Sequence, residues 1–345
     1  MSISVAIVGA GRMGKTHASA LAGIEDVRIT GVADVRLDDA ASLAEAVGAT
    51  SFHDYREMLT SLQPDAVYLC TPASEHLEQV TFAANAGVNV FVEKPISATV
   101  TDAFAIADAV DRAGVLCTTG YQWRYNPATQ AARDALGNLP PTLLSGWWYW
   151  TIPVIPWIAD RRFGGGQIFD QCTHLIDLMR ELGGEVTSVY AAYAKNARPE
   201  AELPNWDSYS VTLTLDSGAV GSVQSSYATF PDIPDSHGLD VIARELLVRI
   251  FLGRVLVFRR DQQPVETTAP DGRSIDRAFM EAVRTNDPSL IRSSARDAAH
   301  SVAVSLACNH SASTGQVVRL DEFIANPPPP GEIMPNAQPV FSADR

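Results

Sequence analysis

The pattern of apolar and polar positions changes character about one third of the way along the chain. Before that point, short continuous apolar runs alternate with Ala- and Glu-rich stretches. Ser4–Val8, Arg28–Ala33, Asp65–Cys70, Val88–Val92 and Val115–Thr119 read as strands, with a further short one near Ser51. Between them, Arg36–Val47, Glu75–Ala86 and Thr101–Ala113 space their apolar residues as helices do. Strands that are apolar throughout are buried on both faces. Their alternation with helices therefore predicts a doubly wound parallel sheet.

After about Gln122 the periods differ. A helical stretch, Pro127–Leu136, leads through the turn Gly137–Pro141 to an aromatic strand, Leu143–Thr151. Tyr209, Val211, Leu213 and Leu215 then alternate with Ser210, Thr212, Thr214 and Asp216, the signature of a half-exposed strand. Asp216-Ser217-Gly218 turns the chain into Val220–Tyr227, which predicts an antiparallel hairpin. Strands follow at Glu245–Phe251 and Arg254–Arg259, and helices at Ile275–Thr285 and Ser294–Thr314. An open, mostly antiparallel sheet fits this half. The segment from Asn326 to Pro339 is rich in Pro and reads as extended or loosely attached.

Composition bounds the function. A chain of 345 residues with 46% hydrophobic content is too long for one ordinary core and suggests two domains. Lys and Arg total 26 against 40 Asp and Glu, a net charge of −14. Such a surface repels phosphate backbones and anionic lipid, so neither nucleic acid nor membrane is expected as a partner. No apolar run reaches 18 residues, the length a membrane span needs. Ile3–Val8 is apolar but has no basic flank and runs straight into a glycine motif, so it reads as a strand, not a signal peptide. Cys70, Cys117, Cys172 and Cys308 show no paired spacing, which fits a reducing cytoplasm and no zinc site.

Candidate chemistry begins with Gly9-Ala10-Gly11-Arg12-Met13-Gly14, directly after the first strand and opening the run Lys15–Ala22. This is the dinucleotide fingerprint in its proper context: a tight turn, close backbone approach to a pyrophosphate, and free N–H groups at a helix N-terminus. The plainer alternative is a tight strand-to-helix turn. Asp34 ends the second strand, 20 residues past Gly14. A carboxylate there accepts ribose hydroxyls and repels a 2′-phosphate, favouring NAD over NADP, although Arg12 and Arg36 nearby leave NADP open. A helix-capping Asp is the alternative. Thr71-Pro72 and Glu93-Lys94-Pro95 both follow strands and should border the same crevice. Lys94 is held non-helical by Pro95, and their peptide bond is a candidate for the cis form. His76, in the loop after Thr71, is either a cofactor contact or a helix cap.

A second constellation lies at Gly164-Gly165-Gly166 and the run that follows. If that run is helical, Asp170, His174 and Asp177 share one face at i, i+4 and i+7. A histidine between carboxylates suits an oriented general acid/base, while a surface salt bridge or a satisfied core histidine is the alternative. Neither HExxH nor paired Cys supplies a metal site. His17, His53, His237, His300 and His310 show no ligand-like clustering. Strand alternation sends Trp148 and Trp150 to one face and Trp147 and Tyr149 to the other. Trp157, just before the glycine triplet, is the aromatic residue best placed to meet the apolar face of a sugar or cyclitol ring.

With these residues assembled, the chain resembles the family of glucose–fructose oxidoreductase, inositol dehydrogenase and rhizopine-catabolism proteins, over roughly residues 3–320. Its carriers are Gly9–Gly14, Asp34, Thr71-Pro72 with His76, Glu93-Lys94-Pro95, Gly120–Pro127, and Gly164–Gly166 followed by Asp170 and His174. The resemblance implies an N-terminal Rossmann dinucleotide-binding domain over residues 1–121 and a substrate-binding and oligomerisation α/β domain over 122–325, with a Pro-rich tail over 326–345. It implies NAD(P)-dependent hydride transfer to or from a sugar, cyclitol or related polyol, and a homodimer or homotetramer formed through the open sheet. Lys94 matches the catalytic lysine, and Asp170 and His174 the acid/base pair. Cofactor contacts fall to Gly9, Gly11, Arg12, Met13, Gly14, Asp34, Arg36, Thr71, Pro72, His76, Glu93 and Lys94. Substrate contacts fall to Lys94, Gln122, Trp157, Asp170 and His174. Trp123 stands where the family often carries a second basic residue. Two other outcomes are known among relatives: a non-catalytic NAD-binding regulator, and a glycoside-cleaving enzyme that uses NAD transiently.

Overall fold

Six of the apolar runs form one parallel sheet. Its strands are β1 (Ile3–Val8), β2 (Val27–Ala33), β3 (Thr50–Phe52), β4 (Ala66–Leu69), β5 (Asn89–Val92) and β6 (Cys117–Thr119). They lie in the order β3-β2-β1-β4-β5-β6, every neighbouring pair parallel. Helices α1 (Arg12–Leu21), α2 (Leu37–Val47), α3 (Tyr55–Leu62), α4 (His76–Asn85) and α5 (Val100–Ala113) alternate with them. Local signals fix their ends. Asp54 and Thr99 cap α3 and α5 by accepting the N–H groups of Arg56 and Asp102. Gly48 and Gly114 close α2 and α5 in the left-handed region. The strand order reverses between β1 and β4, which opens a crevice at the carboxyl ends of the strands.

The computed structural model describes residues 2–153, 155–199, 201–268, 274–329 and 333. Contacts divide the chain into two compact units, Met1–Tyr125 with Arg273–Ala299, and Asn126–Gly272 with His300–Arg345. The first unit therefore takes back a helix from far along the chain, Ser274–Thr285. Its Ile275, Phe279 and Met280 join the buried cluster that holds Val5, Ile7, Tyr68 and Phe91. The Phe279 ring stands edge-on to Tyr68 and Phe91, with centroids 5.8 and 5.9 Å away. Each such fully buried ring stabilises the unit by roughly 1.5–3 kcal/mol.

The second unit opens with α6 (Pro127–Leu136), begun by Pro127 and by Asn126, whose side chain accepts the Ala128 N–H. Next come β7 (Leu143–Tyr149), α7 (Pro156–Ala159), α8 (Arg161–Gly164), α9 (Gly166–Asp170) and α10 (Thr173–Gly183). Strands β8 (Val186–Ala194), β9 (Ser208–Leu215), β10 (Val220–Ser226), β11 (His237–Ala243), β12 (Leu246–Phe251), β13 (Arg254–Arg259) and β14 (Val265–Thr268) follow. After the helix Ser274–Thr285 (α11) come α12 (Ala295–Thr314), β15 (Val318–Arg319) and α13 (Leu320–Ala325). The strands make one sheet in the order β14-β13-β12-β11-β7-β10-β9-β8-β15. β7 and β10 pair in parallel, and the other described pairings are antiparallel.

The expected fold class is thus observed: a Rossmann sheet, then an open, mostly antiparallel one. Along β9, Tyr209, Val211, Leu213 and Leu215 are buried while Ser210, Thr212 and Thr214 are exposed, and the β9–β10 hairpin is antiparallel. Helix α10 packs on the face of β7 that carries Leu144, Gly146 and Trp148. A side chain at Gly146 would come within 2.9 Å of the Met179 methyl and 3.2 Å of Leu175. Most of the segment 326–345 lies outside the described residues.

Candidate active site

The loop between β1 and α1 divides its glycines by task. Gly9 has φ +96°, and a Cβ there would sit 2.7 Å from the Cys70 carbonyl oxygen. Gly14 packs over Gly9, and a side chain on it would overlap the Gly9 carbonyl oxygen. At Gly11, by contrast, nothing lies within 4 Å of where a Cβ would stand. Two glycines serve packing, and the third leaves space in front of a helix N-terminus. The leading N–H groups of α1 have no intrahelical acceptor, and its first turn holds no acidic residue. An open cradle of donors at a positive helix end fits a diphosphate. Arg12 is exposed there and Met13 half-buried.

Asp34 follows β2 and is tied to this loop. Its Oδ2 accepts the N–H of Ala10 at 2.8 Å, and its Oδ1 accepts the N–H of Arg36 at 2.9 Å. The Arg36 guanidinium is exposed and paired with Asp39 at 2.7 Å, lying 3.8 Å from Asp34. After β4, the Thr71 hydroxyl donates to Gln79 at 2.6 Å, and Pro72 is exposed. The buried imidazole of His76 lies 3.0 Å from the Thr71 carbonyl oxygen and 3.1 Å from that of Ile96. It links the loops after β4 and β5. Burial lowers its pKa against the pull of those carbonyls, so the ring is neutral and donates to one of them at a time.

Beyond β5, Glu93 is buried, Lys94 half-buried, and the Lys94–Pro95 peptide bond is cis. One oxygen of Glu93 accepts the backbone N–H of Lys94 at 3.1 Å; the other lies 2.9 Å from Nε2 of His17. The Nδ1 of His17 lies 2.7 Å from Asp276. Burial alone would depress the His17 pKa, but hydrogen bonds to Asp276 and Glu93 outweigh it and raise the value to about 10. The carboxyl of Glu93 would be pushed up by burial, yet its bond to His17 holds it below the usual range. Gln122, half-buried, opens a 3₁₀ turn, Gln122–Tyr125. Its neighbour Trp123 is 1% exposed and fills core space.

In the second unit, one expectation is corrected. The run from Gln167 is not a single helix: α9 ends at Asp170, Gln171 and Cys172 interrupt it, and α10 starts at Thr173. The two intervening residues keep right-handed helical dihedrals, so what changes there is the hydrogen-bond pattern: Cys172 N–H reaches back to Gln167 and His174 N–H to Gln171. Asp177 accepts the hydroxyl of Ser301 at 2.9 Å, and Ser301 in turn accepts from Arg180 at 2.6 Å. That buried chain is structural. Asp170 remains half-buried at the end of α9, and His174 is 6% exposed in the first turn of α10.

The neighbours of His174 are aromatic. Its ring stacks on Trp148 with centroids 6.2 Å apart and planes at 22°. Trp148 also stacks on His237, its cross-strand partner, at 4.6 Å and 19°. Burial lowers the pKa of His237 against a smaller opposing effect of Asp235. The backbone of Trp157 lies in α7; its side chain is outside the described residues. Among the described residues, no group of His, Cys, Asp and Glu is arranged to hold a metal ion, and no helix is long and apolar enough to cross a membrane.

Two groupings escaped the sequence reading. His17 has partners 76 and 259 residues away, which no local pattern announces. A signal existed nonetheless: Gly14, His17, Ala18 and Leu21 form the buried face of α1, and a histidine on such a face requires a partner. Likewise His237 meets Trp148 only through sheet register.

Known proteins agree with this architecture. Residues 3–121 match an oxidoreductase family with an NAD-binding Rossmann fold, and residues 132–237 match the C-terminal domain of the same family. An uncharacterised oxidoreductase, YrbE of Bacillus subtilis, is 31% identical over 230 residues, covering 65% of this chain and 67% of that protein. The scyllo-inositol 2-dehydrogenase (NAD+) of the same organism is 27% identical over 346 residues, covering 92% and 96%. The crystal structure of GenD2 from gentamicin A biosynthesis, in complex with NAD, superposes with a TM-score of 0.76 at 26% identity, covering 92% and 96%. With both family domains matched in order along the same chain, this protein belongs to the Gfo/Idh/MocA family of oxidoreductases.

Proposed function

We propose that the protein is an NAD-dependent dehydrogenase that oxidises a ring carbinol of a sugar, cyclitol or related polyol, or reduces the corresponding ketone. One observation carries the reading: the glycine cradle, Asp34 and Lys94 all stand at the carboxyl edge of one parallel sheet, after β1, β2 and β5. Gly9, Gly11, Arg12, Met13 and Gly14 would hold the cofactor diphosphate, with Asp34 on the adenosine ribose. Arg36, Thr71, Pro72, His76 and Glu93 would frame the rest. Bound there, NAD supplies the two-electron redox chemistry that no side chain provides. Asp34 favours NAD over NADP because a 2′-phosphate would face its charge.

His174 takes the hydroxyl proton at an imidazole nitrogen, with Asp170 as its orienting carboxylate. Lys94 donates a hydrogen bond to the carbinol oxygen and stabilises negative charge that develops on it. Gln122 and Trp157 are assigned to the remaining hydroxyls and the apolar ring face. The inositol dehydrogenase named above, which spans nearly the whole chain, supports this substrate class. The open sheet exposes Tyr190 and Tyr193 on β8, which suits a homodimer or homotetramer, and four free cysteines suit the cytoplasm.

A panel of inositols, monosaccharides and anhydrosugars, assayed in parallel for NADH and NADPH formation, tests the activity. Lys94→Ala and His174→Ala should each lower kcat by orders of magnitude and leave NAD affinity nearly intact. Full turnover by either variant on the true substrate would overturn these assignments.

A further inference from the structure

His17 sits one turn of helix beyond the glycine cradle, yet it faces inward. It is 4% exposed, Glu93 7% and Asp276 4%. The ring lies against Phe91 and Tyr68, with centroids 4.6 and 5.2 Å away. Both of its nitrogens face carboxylate oxygens, at 2.9 Å to Glu93 and 2.7 Å to Asp276. A carboxylate only accepts, and with two of them raising the ring's pKa to about 10 both nitrogens carry protons, which makes the ring an imidazolium between two buried anions.

Glu93 is held on its other sides as well. A Cβ at Gly120 would be 3.1 Å from either oxygen of Glu93, so backbone walls the carboxylate there. The oxygen turned away from His17 receives the N–H of Lys94. Each of the two oxygens therefore has one fixed task. An isolated carboxylate in this apolar setting would be costly, and it stays charged and single-positioned only because His17 compensates it.

We propose that His17, anchored by Asp276, is a positioning residue for Lys94, acting through the bridging carboxylate of Glu93. The clamp fixes the backbone from which the Lys94 side chain departs. It also joins that backbone to α1, the helix whose N-terminus forms the cofactor cradle, and to α11, the segment that returns to this unit from far along the chain. The inference rests on the reading of Lys94 as a catalytic residue. Its anchoring component stands on geometry alone.

Two measurements on the full chain test it. In hydrogen–deuterium exchange, His17→Gln should speed exchange of the Lys94 amide by roughly tenfold or more, because its acceptor is no longer held. The milder Asp276→Asn, which keeps a partner for Nδ1, should give a smaller change in the same direction and serves if His17→Gln fails to fold. In kinetics, His17→Gln should lower kcat by roughly tenfold to hundredfold with the KM for NAD nearly unchanged. Placed on a Lys94→Ala background, it should cost almost nothing further, since a positioning residue has nothing left to position. Unchanged Lys94 amide exchange in both folded variants, or an equal kcat loss on both backgrounds, would overturn the proposal. Failure of the dehydrogenase reading looks different: Lys94→Ala alone would retain turnover, and amide exchange would still decide the anchoring.

Discussion

The indole of Trp148 and the imidazole of His174 lie nearly parallel, 6.2 Å between centroids, on the face of β7 against which α10 packs. Aromatic pairs in this range contribute about 0.5–1.5 kcal/mol beyond area burial. An indole lying nearly parallel at this distance would limit the rotation open to the imidazole. Trp148→Ala should therefore lower kcat by up to about tenfold on top of a stability loss, while Trp148→Phe, which keeps a ring plane, should recover most of it. Steady-state kinetics on the folded variants decides. A Trp148→Ala enzyme with wild-type kcat would reduce the stack to packing.

Asp34 uses one oxygen on Ala10 and the other on Arg36, so it shapes the glycine loop, besides the ribose contact proposed for it. Hydrogen bonds to an ionised group contribute about 1.5–3 kcal/mol each, so Asp34→Ala should raise the KM for NAD roughly tenfold to hundredfold. Asp34→Ser removes the charge while Arg36 remains beside the site. For that variant the ratio of kcat/KM with NADP to kcat/KM with NAD should rise. A ratio unmoved by the substitution would mean that Asp34 acts on the loop alone.

Gly11 and Gly14 make a discriminating pair. At Gly14 any side chain meets the Gly9 carbonyl, so Gly14→Ala should lower stability by about 1–3 kcal/mol, as overpacking does. At Gly11 there is room for a methyl and φ is −74°, so Gly11→Ala should fold with a Tm within about 1 °C of wild type. The space it fills is the space a diphosphate would enter. Calorimetric titration should then show NAD binding weakened about tenfold or more by Gly11→Ala. Unimpaired NAD binding would place the diphosphate elsewhere.

Legibility in the sequence followed the range of the interactions. Continuous apolar strands and helical spacing of apolar residues are local signals, and the strand and helix limits read from them stand within a few residues of those observed. The period-2 alternation of β9 carried its burial, and the turn Asp216-Ser217-Gly218 its pairing with β10. The single helix expected across Asp170 and His174 is divided into α9 and α10 because helical spacing of side chains does not report a local change in backbone hydrogen bonding, and Gln171-Cys172 contains neither Gly nor Pro to announce one. Asp276 was invisible as a partner of His17 for another reason. Which distant helix returns to cover a sheet depends on packing of Phe279 and Met280, not on any pattern near residue 17.

The protonated state of His17 gives stability a definite dependence on pH. Its pKa is about 10 in the fold, where Glu93 and Asp276 face both nitrogens and Tyr68 packs on the ring, against 6.5 for the ordinary side chain. Between these values the folded chain keeps a proton that the unfolded chain has released. Stability must then fall as pH rises, by about 1.4 kcal/mol per pH unit from this one group. The contribution is whole below 6.5 and is lost as pH rises through about 10. Glu93 does not cancel it, because a carboxyl held below its usual range titrates on the acid side, where its own contribution fades as pH falls. Urea unfolding from about pH 7 to about pH 9 should show this decline in the wild-type protein and a flatter profile in His17→Gln. Parallel profiles for the two proteins would mean that His17 is neutral in the fold.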